Sequence, residues 1–341
     1  MDSAFQHVDA LLQHAIGSWA TAIVARVERG GKLLFERAYG LTREAGSVVY
    51  VDTPFDLASL TKLFISTFAL QLVAENRLQL DEPLTAWMAE WKGRPHSAIT
   101  ARMLLAHTSG MNSGADYRTL FDRNVEHFAL TRDLLASPGK RVIYSDLGMI
   151  ALGALIARVE QKSLPSIAAA RVARPSLTYS VADVRSVPAT EEDEWRGGRV
   201  QGRVHDEKAA LMNGVSGHAG LFGTASDVAW LTRQYLDAVA GRPQTLLPQN
   251  LGRLAVEEAA YDPILRRGLG WALKTNDDNS CGKLFSSRSF GHTGFTGTCV
   301  WADPQRDLQA VLLTNSVYFG RRDSRPLRAA FYEGVVEALE S

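Results

Sequence analysis

Alternating, glycine-punctuated segments lie only at the two ends of this 341-residue chain, and the middle carries helical periodicity instead. The run Ala20 to Glu28, the turn residues Arg29-Gly30-Gly31 and the run Lys32 to Tyr39 read as paired antiparallel strands. Strand patterns return at Gly268 to Lys274, Ser289 to Ala302 and Leu308 to Ser316, joined by turns too short for a crossover helix. Strands so far apart in sequence can share one core only as a single sheet closed from both ends, with the middle as an insertion. The expectation is an α+β sandwich: an antiparallel sheet of N- and C-terminal strands flanked by helices. Residues 1–60 and 215–341 would form an α/β subdomain, and 61–214 a mainly helical one, loop-rich over 171–214.

Amphipathic helices are predicted over 3–16 and 326–339, and Ser226-Asp227 reads as an N-cap opening a helix to about Ala240. The segment Leu60 to Asn76 is apolar all round, as in a helix buried centrally. Residues 80 to 170 read as mainly helical, broken at Pro83, Pro95, Pro138-Gly139 and Pro165.

Lys+Arg and Asp+Glu number 37 each, so no net field recruits polyanions, and nucleic acid is not an expected partner. No stretch reaches the roughly 18 uninterrupted apolar residues of a membrane span. The N-terminal residues lack a cationic leader pattern, and a cytoplasmic location is expected, or a periplasmic one if the sequence is a piece of a longer protein. Cys281 and Cys299, the only cysteines, read as free thiols.

A serine becomes a nucleophile when a base takes its proton, and a helix places a lysine three residues on beside it. Ser59-Leu60-Thr61-Lys62 has that spacing, as do Ser137 to Lys140 and Ser280 to Lys283, but only Ser59 opens a long apolar helix. A helix N-terminus also favours negative charge. Burial is expected to lower the pKa of Lys62 towards that of a proton acceptor. Two further signals stand downstream: Tyr144-Ser145-Asp146 before a helical run, and His292-Thr293-Gly294 in a glycine-rich strand.

As an ordered set these motifs resemble the S-x-x-K, Y-x-N and K-T-G or H-T-G motifs of the serine β-lactamase and penicillin-binding-protein superfamily. The Tyr of the second motif resembles the class C branch with its esterases and D-peptidases. The resemblance implies a β-lactamase/transpeptidase-like fold and a hydrolase forming an acyl-enzyme on Ser59. It implies that Lys62 and Tyr144 share the general-base role, that backbone N–H groups of Ser59 and Phe295 form the oxyanion hole, and that His292, Thr293 and Gly294 line the pocket. It implies no cofactor and no metal, and a small ester, amide, peptide or β-lactam as substrate. Asp146 departs from the usual Asn, and His292 in place of Lys makes the site less cationic, favouring esters and neutral amides over substrates with a carboxylate. Ser145-Asp146-Leu147 as a degenerate S-D-N is another register. A slowly deacylating sensor is the non-catalytic alternative.

Other clusters read as structural. His205-Asp206-Glu207 with His218 offers metal-type ligands without a zinc spacing. Arg196, Arg199 and Arg203 adjoin an acidic run, and Trp87 and Trp91 read as core packing.

Overall fold

The computed structural model describes residues 3–243, 246–264 and 266–340. Helix α1 (Gln6–Ala15) precedes a hairpin of β1 (Ala22–Arg29) and β2 (Lys32–Gly40). After the long middle come β3 (Ala272–Leu273), β4 (Phe290–Thr293), β5 (Cys299–Asp303) and β6 (Leu308–Thr314). All six form one antiparallel sheet in the order β2-β1-β6-β5-β4-β3, so the two chain ends meet where β1 pairs with β6, Ile23 opposite Thr314 and Arg29 opposite Leu308. This is the α+β architecture expected from the sequence.

Side chains alternate across a strand, and here both faces are covered. Ala22 and Val24 join Val300, Ala302, Val311 and Leu313 in the core shared with the central helices. Ile23, Ala25 and Val27 join Trp301, Ala310 and Leu312 beneath α1 and the closing helix Arg325–Glu340. Two-sided burial explains the nearly continuous apolar runs of β1 and β6.

Helix α2 (Thr61–Ala74) is buried from Thr61 through Leu70 and packs on α3 (Asp146–Glu160), itself mostly buried. An apolar surface on all sides fits a helix enclosed on all sides. Between them the chain is less helical than its composition suggests. Residues 80 to 140 carry short 3₁₀ turns and only the helices Ala101–Leu105 and Val125–Thr131, because Pro83, Pro95 and the glycines interrupt each run before it can propagate. Helix α4 (Ala225–Ala240) begins two residues earlier than read: its N-cap is Thr224, in a reciprocal capping box with Asp227. Trp91 is buried with its indole N–H on the Leu130 carbonyl, whereas Trp87 is 40% exposed, contrary to the core reading. Cys281 and Cys299 are buried free thiols. Among the described residues no helix is long and apolar enough to cross a membrane.

Candidate active site

Ser59 sits on a 3₁₀ turn, Ala58–Leu60, that runs directly into α2. Ala58 has φ +46°, a left-handed conformation unusual for a residue with a Cβ, so the turn is sharp and must be held from outside. Asp56 Oδ1 accepts from the Ala58 N–H at 2.8 Å, Thr296 Oγ1 donates to the Asp56 carbonyl at 3.0 Å and Thr298 Oγ1 to the Leu57 carbonyl at 3.1 Å. The last two bonds dock the turn onto the segment after β4, which brings Ser59 opposite His292, Thr293, Gly294 and Phe295. Gly294 is required at that approach: a Cβ there would stand 2.1 Å from Thr298 Oγ1 and 2.8 Å from the Leu57 carbonyl oxygen.

Ser59 Oγ accepts from Lys62 Nζ at 2.8 Å and from the Tyr144 hydroxyl at 2.9 Å. Three residues separated by up to 85 positions thus converge on one oxygen. A hydroxyl has two lone pairs, and both are taken. In this resting arrangement both partners donate.

Asp146, the departure from Asn, lies with Oδ1 3.0 Å from Lys62 Nζ. This overturns the expected direction for Lys62. Burial pulls its pKa down, but the charges and hydrogen bonds of Asp146 and Tyr144 outweigh burial and hold the ammonium above the ordinary lysine value. In return, the charges of Lys62 and Lys208 and the neighbouring His218 outweigh burial at Asp146 and keep its carboxyl below the usual range. Ser145 is the N-cap of α3, its hydroxyl accepting from the Gly148 N–H at 2.8 Å, which leaves it to hold the helix end rather than stand in an S-D-N motif.

The Tyr144 ring is enclosed by His107 (ring centroids 4.8 Å), His292 (6.0 Å), Lys62 Nζ (5.0 Å to the centroid) and the Arg267 guanidinium (5.1 Å). Burial and the neighbouring Arg267 and Lys62 cations hold both imidazoles well below the ordinary histidine value, hence neutral at pH 7. His292 Nδ1 faces the Thr293 carbonyl at 2.9 Å, and a carbonyl only accepts, so Nδ1 carries the proton and Nε2 the lone pair.

The cleft above Ser59 has a volume of about 660 Å³ and is lined by Tyr144, His292, Thr293, Gly294, the half-exposed Phe295 and Arg267, among others. Arg267 was not singled out from sequence. It is 5% exposed, and its Nε and Nη1 have no hydrogen-bond partner among the described residues. Neutral His292 does make the third motif less cationic, as read, but Arg267 returns a positive charge to the cleft. Its only sequence signal is a doubled arginine, Arg266-Arg267, before a strand.

Asp146, Asp206 and His218 offer ligand atoms within 4.8 Å of one another. Ammonium groups already stand on both carboxylates: Lys62 on Asp146, and Lys208 on Asp146 at 3.3 Å and on Asp206 at 3.4 Å. A metal ion would have to displace them, so the cluster fits paired charges rather than a metal. Arg196 pairs with Asp193 and Arg199 with Glu192, the structural reading given to them above.

An antiparallel sheet whose edge-side strand faces a helix-borne Ser-x-x-Lys, with a tyrosine on the same oxygen, defines the β-lactamase-like class of hydrolases. The chain belongs to the beta-lactamase family, whose model matches residues 6–333. It is 30% identical to the N-acetylmuramyl-L-alanine amidase of Bacillus subtilis (90% of this chain, 80% of that protein). It is 29% identical to esterase EstB of Burkholderia gladioli (92% and 90%). Among solved structures it resembles a class C β-lactamase from Rhodobacter sphaeroides, with TM-score 0.76, 19% identity and 98% and 99% coverage.

Proposed function

We propose that the protein hydrolyses small amides or esters through an acyl-enzyme on Ser59, and that its preferred acyl donors carry a carboxylate. The observation that carries the first part is the convergence of Lys62 Nζ and the Tyr144 hydroxyl on Ser59 Oγ at the floor of an open cleft. Loss of one proton from the Lys62–Tyr144 pair lets Ser59 hand its own to that pair as it attacks the substrate carbonyl. In this reading the carbonyl oxygen then gains negative charge, which the backbone N–H groups of Ser59 and Phe295 receive. The pair returns the proton to the departing amine or alcohol, and water repeats the sequence on the acyl-enzyme.

The second part rests on Arg267. A buried guanidinium with unpaired donors costs several kcal/mol unless something pairs with it, and a substrate carboxylate in the cleft would. This reverses the expectation of a preference for neutral substrates, and fits the amidase named among the relatives at least as well as the esterase.

The test is intact-protein mass spectrometry of wild type and Ser59→Ala with p-nitrophenyl acetate, with an N-acyl dipeptide bearing a free C-terminal carboxylate, and with the C-terminal amide of that dipeptide. An acyl adduct confined to wild type, with the free acid turned over faster than its amide, is the expected result. Equal modification of Ser59→Ala would overturn the nucleophile, and equal rates for acid and amide would overturn the carboxylate preference. An adduct that never turns over would make the protein a covalent sensor.

A further inference from the structure

Behind the nucleophile the charged side chains close into a ring. Lys62 Nζ contacts Asp146 Oδ1 (3.0 Å), Asp146 Oδ2 contacts Lys208 Nζ (3.3 Å) and Lys208 contacts Asp206 Oδ2 (3.4 Å). Asp206 Oδ1 meets His218 Nε2 at 2.7 Å, and the His218 backbone carbonyl accepts from Lys62 Nζ at 2.9 Å. His218 is fixed in turn by Ser216 Oγ on its Nδ1 at 2.8 Å. Lys62 and His218 are 1% exposed at their side chains, and Lys208 12%. Three chain segments, α2, the head of α3 and residues 206–218, are therefore joined through alternating charges in a poorly solvated space, where Coulomb interactions are strong.

We propose that Lys208 is a positioning residue for the nucleophile: by sharing Asp146 with Lys62, it limits how tightly Asp146 grips the Lys62 ammonium at Ser59. Asp146 offers one oxygen to each lysine, and Asp206 balances the second lysine so that the ring stays near neutral. Without Lys208, the whole carboxylate charge falls on Lys62, and a cation that repels Lys62 disappears. Without the charge of Asp206, Lys208 turns fully to Asp146 and Lys62 is released. The two changes act on Lys62 in opposite directions, which general damage to the loop would not do.

The other groups facing Lys62 stay constant in this comparison. They are Tyr144 beside Asp146, His107 from the helix Ala101–Leu105 end, His292 from β4, and Arg267, which shares the Tyr144 ring with Lys62.

This inference rests on Ser59 being the nucleophile that Lys62 serves, but its first readout does not need substrate. The Lys62 Cε resonance, assigned by its loss in Lys62→Gln, is titrated by NMR in wild type, Lys208→Met, Lys208→Arg and Asp206→Asn. The midpoint is expected to rise by about one pH unit in Lys208→Met, equivalent to about tenfold at a fixed pH, to fall in Asp206→Asn and to return towards wild type in Lys208→Arg. Shifts in the same direction for Lys208→Met and Asp206→Asn, or none, would overturn the proposal. Ser59 labelling by a fluorophosphonate, followed against pH in the same variants, reads the nucleophile separately. Labelling absent in wild type would sink the proposed function, while the NMR midpoints still decide the role of Lys208.

Discussion

Asp146 Oδ1 lies 3.0 Å from Lys62 Nζ, and its charge leads the influences that hold the ammonium beside Ser59 above the ordinary lysine value against the pull of burial. Because Lys62 is held above the ordinary lysine value, its ammonium sheds a proton only as pH rises. Activity should therefore climb with pH along an acid limb. Asp146→Asn removes the charge that raises Lys62 while keeping a carbonyl acceptor for it. Its acid limb of kcat/KM should lie about one unit lower, and its rate near pH 7 should exceed wild type by about tenfold. A pH–rate profile with an unmoved limb would show that Lys62 is not the titrating group.

The Tyr144 hydroxyl donates to Ser59 Oγ at 2.9 Å from a ring wedged among two imidazoles and two cations. Tyr144→Phe keeps the ring packing and deletes only the hydroxyl. Pre-steady-state acylation should slow by about two to four orders of magnitude, the scale of a lost general base, with thermal stability nearly unchanged. A loss under about threefold would leave proton transfer to Lys62 alone.

The sheet and the motif residues were legible because their signals are local. Short apolar or alternating runs bounded by turn residues mark β1, β2 and β6, the apolar run from Leu60 marks a helix enclosed on all sides, and Ser59, Tyr144 and His292 carry distinctive neighbours. What escaped depends on partners distant in the chain. The pKa of Lys62 turns on Asp146, 84 residues away, and burial alone predicts the wrong direction. His218 and Asp206 were read as loop contacts, since nothing in their spacing reveals that a backbone carbonyl and a second lysine complete a ring around Lys62. Arg267 was invisible because an unpaired buried guanidinium looks, in sequence, like any surface arginine.

Arg267→Met separates recognition from stability. Its unpaired Nε and Nη1 mean that the free protein loses no hydrogen bond from them, so an apolar side chain of similar length should leave stability equal or higher. Substrate binding should move the other way. KM for a carboxylate-bearing dipeptide should rise about 10- to 100-fold, as expected for one charge-assisted contact of about 1.5–3 kcal/mol, while hydrolysis of p-nitrophenyl acetate stays within about threefold. Parallel loss on both substrates would assign Arg267 to the Tyr144 ring rather than to the substrate.

Gly294 couples the Ser59 turn to the facing strand, and the coupling is steric. A Cβ at 294 would meet Thr298 Oγ1 at 2.1 Å, the Leu57 carbonyl oxygen at 2.8 Å and the Ala58 Cβ at 3.2 Å. The first of these is a side-chain atom and the second is backbone just before Ser59, so the turn itself has to retreat. Gly294→Ala should lower stability by about 1–3 kcal/mol, the range for overpacking, and reduce Ser59 labelling by more than about tenfold, since an ångström of misplacement at a reacting atom has large kinetic effects. Thr298→Ala in the same chain removes the closest obstacle and should recover part of the stability. It leaves the Leu57 contact in place and gives up the Thr298 hydrogen bond that docks the turn, so labelling should stay low. Recovery of both together would mean that Thr298 alone sets the spacing, and recovery of neither that the backbone contact does.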